Sequence, residues 1–243
     1  MKIKGKHIVI SGATSGIGLE LTRQLYSDNT VIVIGRSTQK LEALAEELKG
    51  ISTFCADLAN LDQLETAASK IVAEFPTIDM LINNAAVQNT PKFTDQDFDY
   101  SSIRDEVTIN FTAPCCLIHQ LLPALLTSNK ASIININSGL GLVPKTTSAI
   151  YCATKGALNI FSQSLNYQLE DTNIDVQQVF LELVETPMSQ GRGSAKISAK
   201  SAAQKIIEGI ALGITEHNIG KVKLLRLLLR IAPSIARKIM KKY

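Results

Sequence analysis

Residues 6 to 21 read KHIVISGATSGIGLEL. The run from His7 to Ser11 is short, β-rich and almost continuously apolar, as a strand buried on both faces should be. Glycines follow at 12, 16 and 18, and then the amphipathic stretch GLELTRQLYS. A glycine-rich turn between a first strand and a helix gathers backbone N–H groups and the helix N-terminus at one point, which favours a pyrophosphate. Positions without side chains let the backbone approach the phosphates and let helix pack on strand. The spacing is G-x-x-x-G-x-G. It predicts a dinucleotide site over Gly12, Ser15, Gly16, Ile17 and Gly18.

The same alternation continues outward from that turn. TVIVIG, ISTFCA, DMLINN, SIININ and DVQQVF are further apolar, β-rich runs, separated by helical patterns such as TQKLEALAEELK, LDQLETAASKIVAEF and SAIYCATKGALNIFSQSLNYQLE. Repeated strand–helix alternation predicts a doubly wound, Rossmann-type parallel sheet of α/β class in a single domain. Residues 1–220 read as the nucleotide-binding catalytic domain and 221–243 as a basic amphipathic extension. Between them, PMSQGRGSAKISAKS (187–201) reads as a mobile loop, AAQKIIEGIALGI as a helix, and no obvious final strand follows.

Composition narrows the class. The chain has 243 residues, 45% of them hydrophobic, enough for a sizeable core. No apolar run approaches the roughly 18 residues of a membrane-spanning helix. The N-terminal apolar run IVI is too short for a signal peptide, and a cytoplasmic protein is expected. Cys55, Cys115, Cys116 and Cys152 lack CxxC or paired spacing and are expected as buried free thiols. His7, His119 and His217 lack ligand spacing, so no metal is expected; His119, in an apolar helical stretch, reads as packed core.

The net charge is +3, yet residues 221–243 hold eight Lys and Arg and no acid. The first 220 residues therefore carry 17 basic and 22 acidic side chains, a net −5. With an acidic body and no recognition motif, nucleic acid is not an expected partner.

An acid at the end of the second strand would bind a ribose 2′-OH and repel a 2′-phosphate. Gly35-Arg36-Ser37 stands there instead. Arg36 can form charge-assisted bonds to the phosphate, which favours NADP, with NAD possible. Farther on, Tyr151 precedes Lys155 by four positions, so the two share one helix face.

In order and spacing, the glycine turn, Asp57-Leu58, NNAA at 83–86, Asn110, Ser138, Tyr151-x-x-x-Lys155 and Thr186-Pro187 make the chain resemble the short-chain dehydrogenase/reductase superfamily, in its single-domain branch. The resemblance covers roughly residues 6 to 190. It implies reversible hydride transfer between NAD(P) and an alcohol/carbonyl pair. It further implies Tyr151 as general acid, Lys155 lowering the phenol's pKa and holding the nicotinamide ribose, and Ser138 bonding the carbonyl oxygen. Asn110 would order a water linking Lys155 to solvent. Asp57 and Leu58 would flank the adenine, Asn83 and Ala85 line the cofactor cleft, and Thr186 meet the nicotinamide carboxamide. Pairing of the helices that bear Asn110 and Tyr151 implies a homodimer or homotetramer. On the pKa, a cation ~4 Å from the phenol at an effective dielectric near 20 contributes about 4 kcal/mol, enough for three units.

Two departures stand out: Ala86 replaces a glycine, and Leu181-Glu182 replaces an expected Pro-Gly beside the nicotinamide. Glu182 either approaches the reaction centre or faces solvent. More narrowly, SGLGLVPKTTSAIYCATKGAL, LINNAAVQ and KLLRLLLRIAPS resemble the bacterial DltE-like oxidoreductase subgroup. The tail alternates Leu and Ile with Lys and Arg, and Pro233 breaks it into two helices. It either lies on an anionic membrane face, placing the protein at the inner membrane, or caps a substrate pocket or subunit interface. The expected function is an NADP-dependent oxidoreductase acting on a rather apolar carbonyl or alcohol, an inference from Leu140, Leu142, Val143 and the tail. The rival is a catalytically silent NAD(P)-binding sensor or a membrane-associated assembly factor.

Overall fold

The computed structural model describes residues 3–193 and 195–242. Met1, Lys2, Ser194 and Tyr243, which fall in the N-terminal stretch, the 187–201 loop and the tail, lie outside the described residues. All six apolar runs become strands: β1 (His7–Ser11), β2 (Thr30–Gly35), β3 (Ser52–Cys55), β4 (Met80–Asn83), β5 (Ala131–Ser138) and β6 (Ile174–Leu181). Two short strands, β7 (Val184–Glu185) and β8 (Ile197–Ser198), pair with each other, and β9 (Glu216–Asn218) joins the main sheet. The main sheet runs β3-β2-β1-β4-β5-β6-β9, and all its pairings are parallel.

Alternate residues of each strand feed two different cores. Ile8 and Ile10 join Val31, Val33, Ile82 and Ile134 beneath α1 (Gly16–Leu25), α2 (Thr38–Glu47) and α7 (Ala199–Ala211). Val9 joins Ile32, Ile34, Leu81 and Ile133 beneath α3 (Leu61–Glu74), α5 (Ala113–Leu126) and α6 (Ala149–Gln168). This is why the strands read as continuous apolar runs: helices cover both faces. Strand order reverses between β1 and β4, so a crevice opens at the carboxyl ends of those strands, where doubly wound folds bind ligands.

The structure corrects several expectations. A final strand does form: β9 extends the sheet at Gln178–Phe180 of β6. It is three polar residues, EHN, at an edge, and so carries no apolar signal. The 187–201 stretch is more ordered than its composition suggests. It contains a 3-10 turn (Pro187–Ser189) and β8, and α7 starts at Ala199 with the Ser198 hydroxyl accepting from Ser201 N–H at 3.1 Å. His119 is exposed, because Leu117, Ile118, Leu121 and Leu125 form the buried face of α5 and His119 lies off it. Of the four thiols only Cys152 is buried; Cys55 is exposed and Cys115 and Cys116 are half-buried. Finally α4 (Ser101–Val107), a π-turn (Thr108–Thr112) and α5 join into one 26-residue helix, apolar and long enough to cross a membrane but half buried against the protein.

Candidate active site

Helix α1 starts without a side-chain cap, unlike α2, α3 and α7. Ser37 accepts from Lys40 N–H at the start of α2, Asn60 from Asp62 and Gln63 at α3, and Ser198 from Ser201 at α7. Ser15, at the same position before α1, makes no such bond. The opening N–H groups of α1 therefore have no side-chain acceptor, and face the crevice with the positive end of the helix. Gly12 and Gly16 hold positive φ of 68° and 53°. At Gly18 a Cβ would lie 2.3 Å from the Gly12 oxygen, so helix and strand meet only because that atom is absent.

Residues outside the expected set hold this turn. Asn84 donates through Nδ2 to the Ser11 and Gly12 carbonyls at 3.0 and 3.1 Å. Ser11 Oγ accepts from the Asn84 and Ala85 N–H groups at 3.1 and 3.2 Å. Ala85 sits against Gly12. Asn83 turns the other way: its buried amide donates to Asn135 Oδ1 at 2.9 Å and lies beneath the cleft rather than along it.

Two amide relays then register α6 on the sheet. Asn135 continues from Asn83 to Ser162 Oγ at 2.8 Å, while Asn137 donates to Gln178 at 3.1 Å and Gln178 to Asn159 Oδ1 at 3.1 Å. The amide N–H groups of this set each find an acceptor, while among the described residues the buried Asn83 Oδ1 has no partner. Their common effect is to fix the height of α6, and thus of Tyr151 and Lys155. Gly141 lets the preceding loop press against this helix, since a Cβ there would meet the Lys155 carbonyl at 2.7 Å.

Tyr151 and Lys155 are both buried. Ser138 stands beside the phenol and favours its ionised form, but burial outweighs this and pushes the Tyr151 pKa up to about 12. The expected lowering by Lys155 is absent. Its Nζ lies 5.8 Å from the ring centre and donates to the Ile136 carbonyl at 2.8 Å, so the lysine is directed at backbone. Burial draws the pKa of Lys155 itself down to about 8.

Asn110 is fully buried in the π-turn. Its side chain exchanges two bonds with the Val87 backbone, at 2.8 and 2.9 Å, and donates to Thr154 Oγ1 at 3.3 Å. It thus clasps the chain beyond NNAA to the helix bearing Tyr151, and its contact with Lys155 is not direct. Thr186 lies across from Gly16, its Cγ2 3.0 Å from where a Cβ would stand. Asp57 Oδ1 accepts from Ala59 N–H at 3.0 Å, back into its own loop, and Leu58 is buried. Arg36 is exposed, and among the described residues no carboxylate lies within 4 Å of it.

The question of Glu182 has an answer. Its carboxylate lies against Gly220, at the foot of α8 (Val222–Ile231), where the helix N-terminus favours a negative charge. Val222 and Leu225 of α8 pack over Gly139, next to Ser138. Arg226 sits 4.5 Å over the Phe180 ring and bonds Asn218 and Glu216 at 2.6 and 2.8 Å. At the end of α9 (Pro233–Lys241), the Lys241 carbonyl accepts from Thr146 at 2.5 Å. The two tail helices therefore roof the loop between Ser138 and Tyr151.

A nucleotide-ready turn at the switch point, with a Ser-Tyr-Lys group on the neighbouring strand and helix, defines an oxidoreductase of the nucleotide-binding α/β class. The short chain dehydrogenase family model matches residues 6–197, and the chain belongs to that family. It is 33% identical to the uncharacterized oxidoreductase DltE of Bacillus subtilis (strain 168), across 93% of this chain and 92% of that one. The narrower resemblance seen in the sequence is thereby supported. Among solved structures, a short chain dehydrogenase from Burkholderia cenocepacia J2315 in complex with NADP superposes with a TM-score of 0.87 at 24% identity, over 99% of each chain. One from Sphingobium yanoikuyae in complex with NADPH gives 0.82 at 24% identity, over 95% of each.

Proposed function

We propose that the protein is an NADP(H)-dependent carbonyl reductase with Tyr151 as its acid. The observation that carries this reading is the convergence of Tyr151, Ser138 and Lys155 on the crevice faced by the uncapped α1. The free N–H groups of α1 and the glycine turn suit a pyrophosphate. Arg36, with no acid beside it, suits a 2′-phosphate, and NAD is the less favoured cofactor. Asp57 and Leu58 would flank the adenine, Ala85 would line the cleft wall, and Thr186, across from Gly16, would meet the nicotinamide. Lys155 would hold the nicotinamide ribose. Bound there, the nicotinamide supplies the hydride.

The phenol donates the proton in reduction and, as phenolate, accepts it in oxidation. At neutral pH it keeps its proton, and an alkoxide, the conjugate base of an alcohol about as weakly acidic as water (~15.7), takes that proton downhill. Ser138 steadies charge on the carbonyl oxygen, and Leu140, Leu142 and Leu225 offer apolar surface. Ile160 and Tyr167 of α6, 65% and 72% exposed, present an apolar face for pairing with a second copy as a dimer or tetramer. The working site is the cytoplasm, with the tail touching the inner membrane face.

NADPH and then NADH oxidation by wild type and Tyr151→Phe, over a panel of aldehydes and ketones, tests the reading. Turnover should prefer NADPH and fall about 10²–10⁴-fold in the variant with NADPH binding kept. Tight NADPH binding with no turnover on any compound favours the silent sensor instead.

A further inference from the structure

Transfer of a proton to a simple carbonyl needs one acid, yet a further cation, Arg192, interacts electrostatically with Tyr151, and another, Lys145, with Arg192. Arg192, from the segment after Thr186, is half-buried and faces the phenol, each favouring the other's charge. Its Nη1 donates to Gln88 Oε1 at 2.6 Å. Gln88 follows Val87, the residue clasped by Asn110. Lys145 lies in the loop between Ser138 and Tyr151. It too is half-buried, and its ammonium is repelled by Arg192.

Among the described residues neither cation has a carboxylate within 4 Å. Glu106, the acid that interacts electrostatically with Tyr151 and Cys152, is buried, accepts from Asn89 N–H at 2.6 Å, and is shifted toward its neutral form by burial. Two half-buried like charges without a counter-ion are unfavourable in the free protein. A bound anion removes that cost. The guanidinium fork and the ammonium together match a carboxylate or a phosphate.

Building on the carbonyl-reductase reading, we propose that Lys145 and Arg192 bind an anionic group of the carbonyl substrate, a carboxylate or a phosphate, and so set specificity for an anionic aldehyde or ketone. Gln88 holds the guanidinium in position, and the anion aims the carbonyl at Tyr151 and Ser138. The apolar walls at Leu140 and Leu142 then serve the stem of a rather apolar substrate that ends in an anionic group.

Two matched pairs test this with NADPH as reductant: 4-carboxybenzaldehyde against benzaldehyde, and glyceraldehyde 3-phosphate against glyceraldehyde. Wild type should prefer the charged member of at least one pair by about 10- to 100-fold in kcat/KM, mainly through KM. The pair that shows it separates carboxylate from phosphate. Arg192→Gln and Lys145→Gln should each shrink that preference about tenfold, and Arg192→Lys should restore part of it. Equal use of charged and neutral aldehydes by wild type, or a preference unchanged in both variants, overturns the anion site and leaves the reductase reading intact. Should none of the four react, benzoate and inorganic phosphate are added to the NADPH-bound protein and its thermal midpoint is followed. A rise in wild type that is lost in Arg192→Gln supports the anion site although the carbonyl reading has failed. No rise with either probe overturns both.

Discussion

The cofactor turn and the substrate roof sit on either side of one crevice and are built on opposite plans. At the turn, a few residues close in sequence leave backbone N–H groups free, and the geometry depends on atoms that are missing, above all the Cβ of Gly18. At the roof, segments far apart in sequence are fastened through side chains: Glu182 against Gly220, Thr146 to the Lys241 carbonyl, Arg192 to the Gln88 side chain. The turn can accept only one ligand shape, whereas the roof can be re-fastened with other residues. Cofactor binding should therefore be brittle to small changes and substrate binding tolerant of them.

The sharpest contrast is between two glycine-to-alanine changes. Gly18→Ala drives a methyl to within 2.3 Å of backbone that cannot move without taking the turn with it. It should cost about 1–3 kcal/mol of stability and weaken NADPH binding about 10- to 100-fold. Gly139→Ala meets only the methyl ends of Val222 and Leu225, at 3.3 and 3.4 Å. Stability should change by less than about 1 kcal/mol, with an altered KM. Urea melts and NADPH titrations of both proteins decide; comparable losses of NADPH affinity would erase the distinction between the two regions.

Gly220→Ala probes the fastening itself. The new Cβ would coincide with the Glu182 carboxylate, and the backbone there has φ +63°. Release of α8 should raise the carbonyl KM several-fold and expose the tail to protease, with NADPH affinity kept. Adding Glu182→Ala removes the collision and leaves only the backbone strain of about 1 kcal/mol, so partial recovery is expected.

Lys155 stands between the two regions. With its pKa near 8, the ammonium is complete well below that pH and is lost above it. If the charged form holds the ribose, NADPH affinity falls as pH rises through about 8, by at most tenfold per unit. Lys155→Met should bind weakly and show no such inflection; an identical inflection in the variant would assign the titration to another group.

This contrast also explains what was legible in the sequence. Six strands, their parallel order and the glycine turn follow from local pattern, because burial on both faces and a strand–turn–helix join leave marks on neighbouring residues. Ser138, Tyr151 and Lys155 were found through motif spacing, and the structure gathers them. The direction of the Tyr151 shift was not legible. The i, i+4 spacing says that two side chains share a face, but Lys155 spends its proton on Ile136, and only packing reveals that. Asn84 stands next to the expected Asn83, and no local signal says which amide holds the turn. The alternating asparagines of β5, in a strand otherwise apolar, were a visible sign of the relays that seat α6. Strand β9 and the destination of Glu182 depend on contacts made by residues far along the chain.

The smallest effect on turnover is expected at the outer surface of the roof. Val222 and Ala236 are buried, while Leu224, Leu227, Ile231, Ile235 and Ile239 are all exposed, at 52–69%. The tail thus has two faces: one closes the crevice, and the other displays aliphatic side chains among Lys223, Arg230, Arg237 and Lys238. An apolar stripe bordered by cations is what an anionic bilayer surface binds, with about 1 kcal/mol for each basic residue near it. Co-sedimentation with phosphatidylglycerol vesicles, against phosphatidylcholine vesicles, should show preferential binding of wild type that is lost in the triple change Leu227→Ser, Ile231→Ser, Ile235→Ser. Because these side chains point away from Gly139, NADPH oxidation in solution should be the same in both proteins. Equal sedimentation would remove the membrane from the account, whereas lost turnover would show that both faces of the roof serve the crevice.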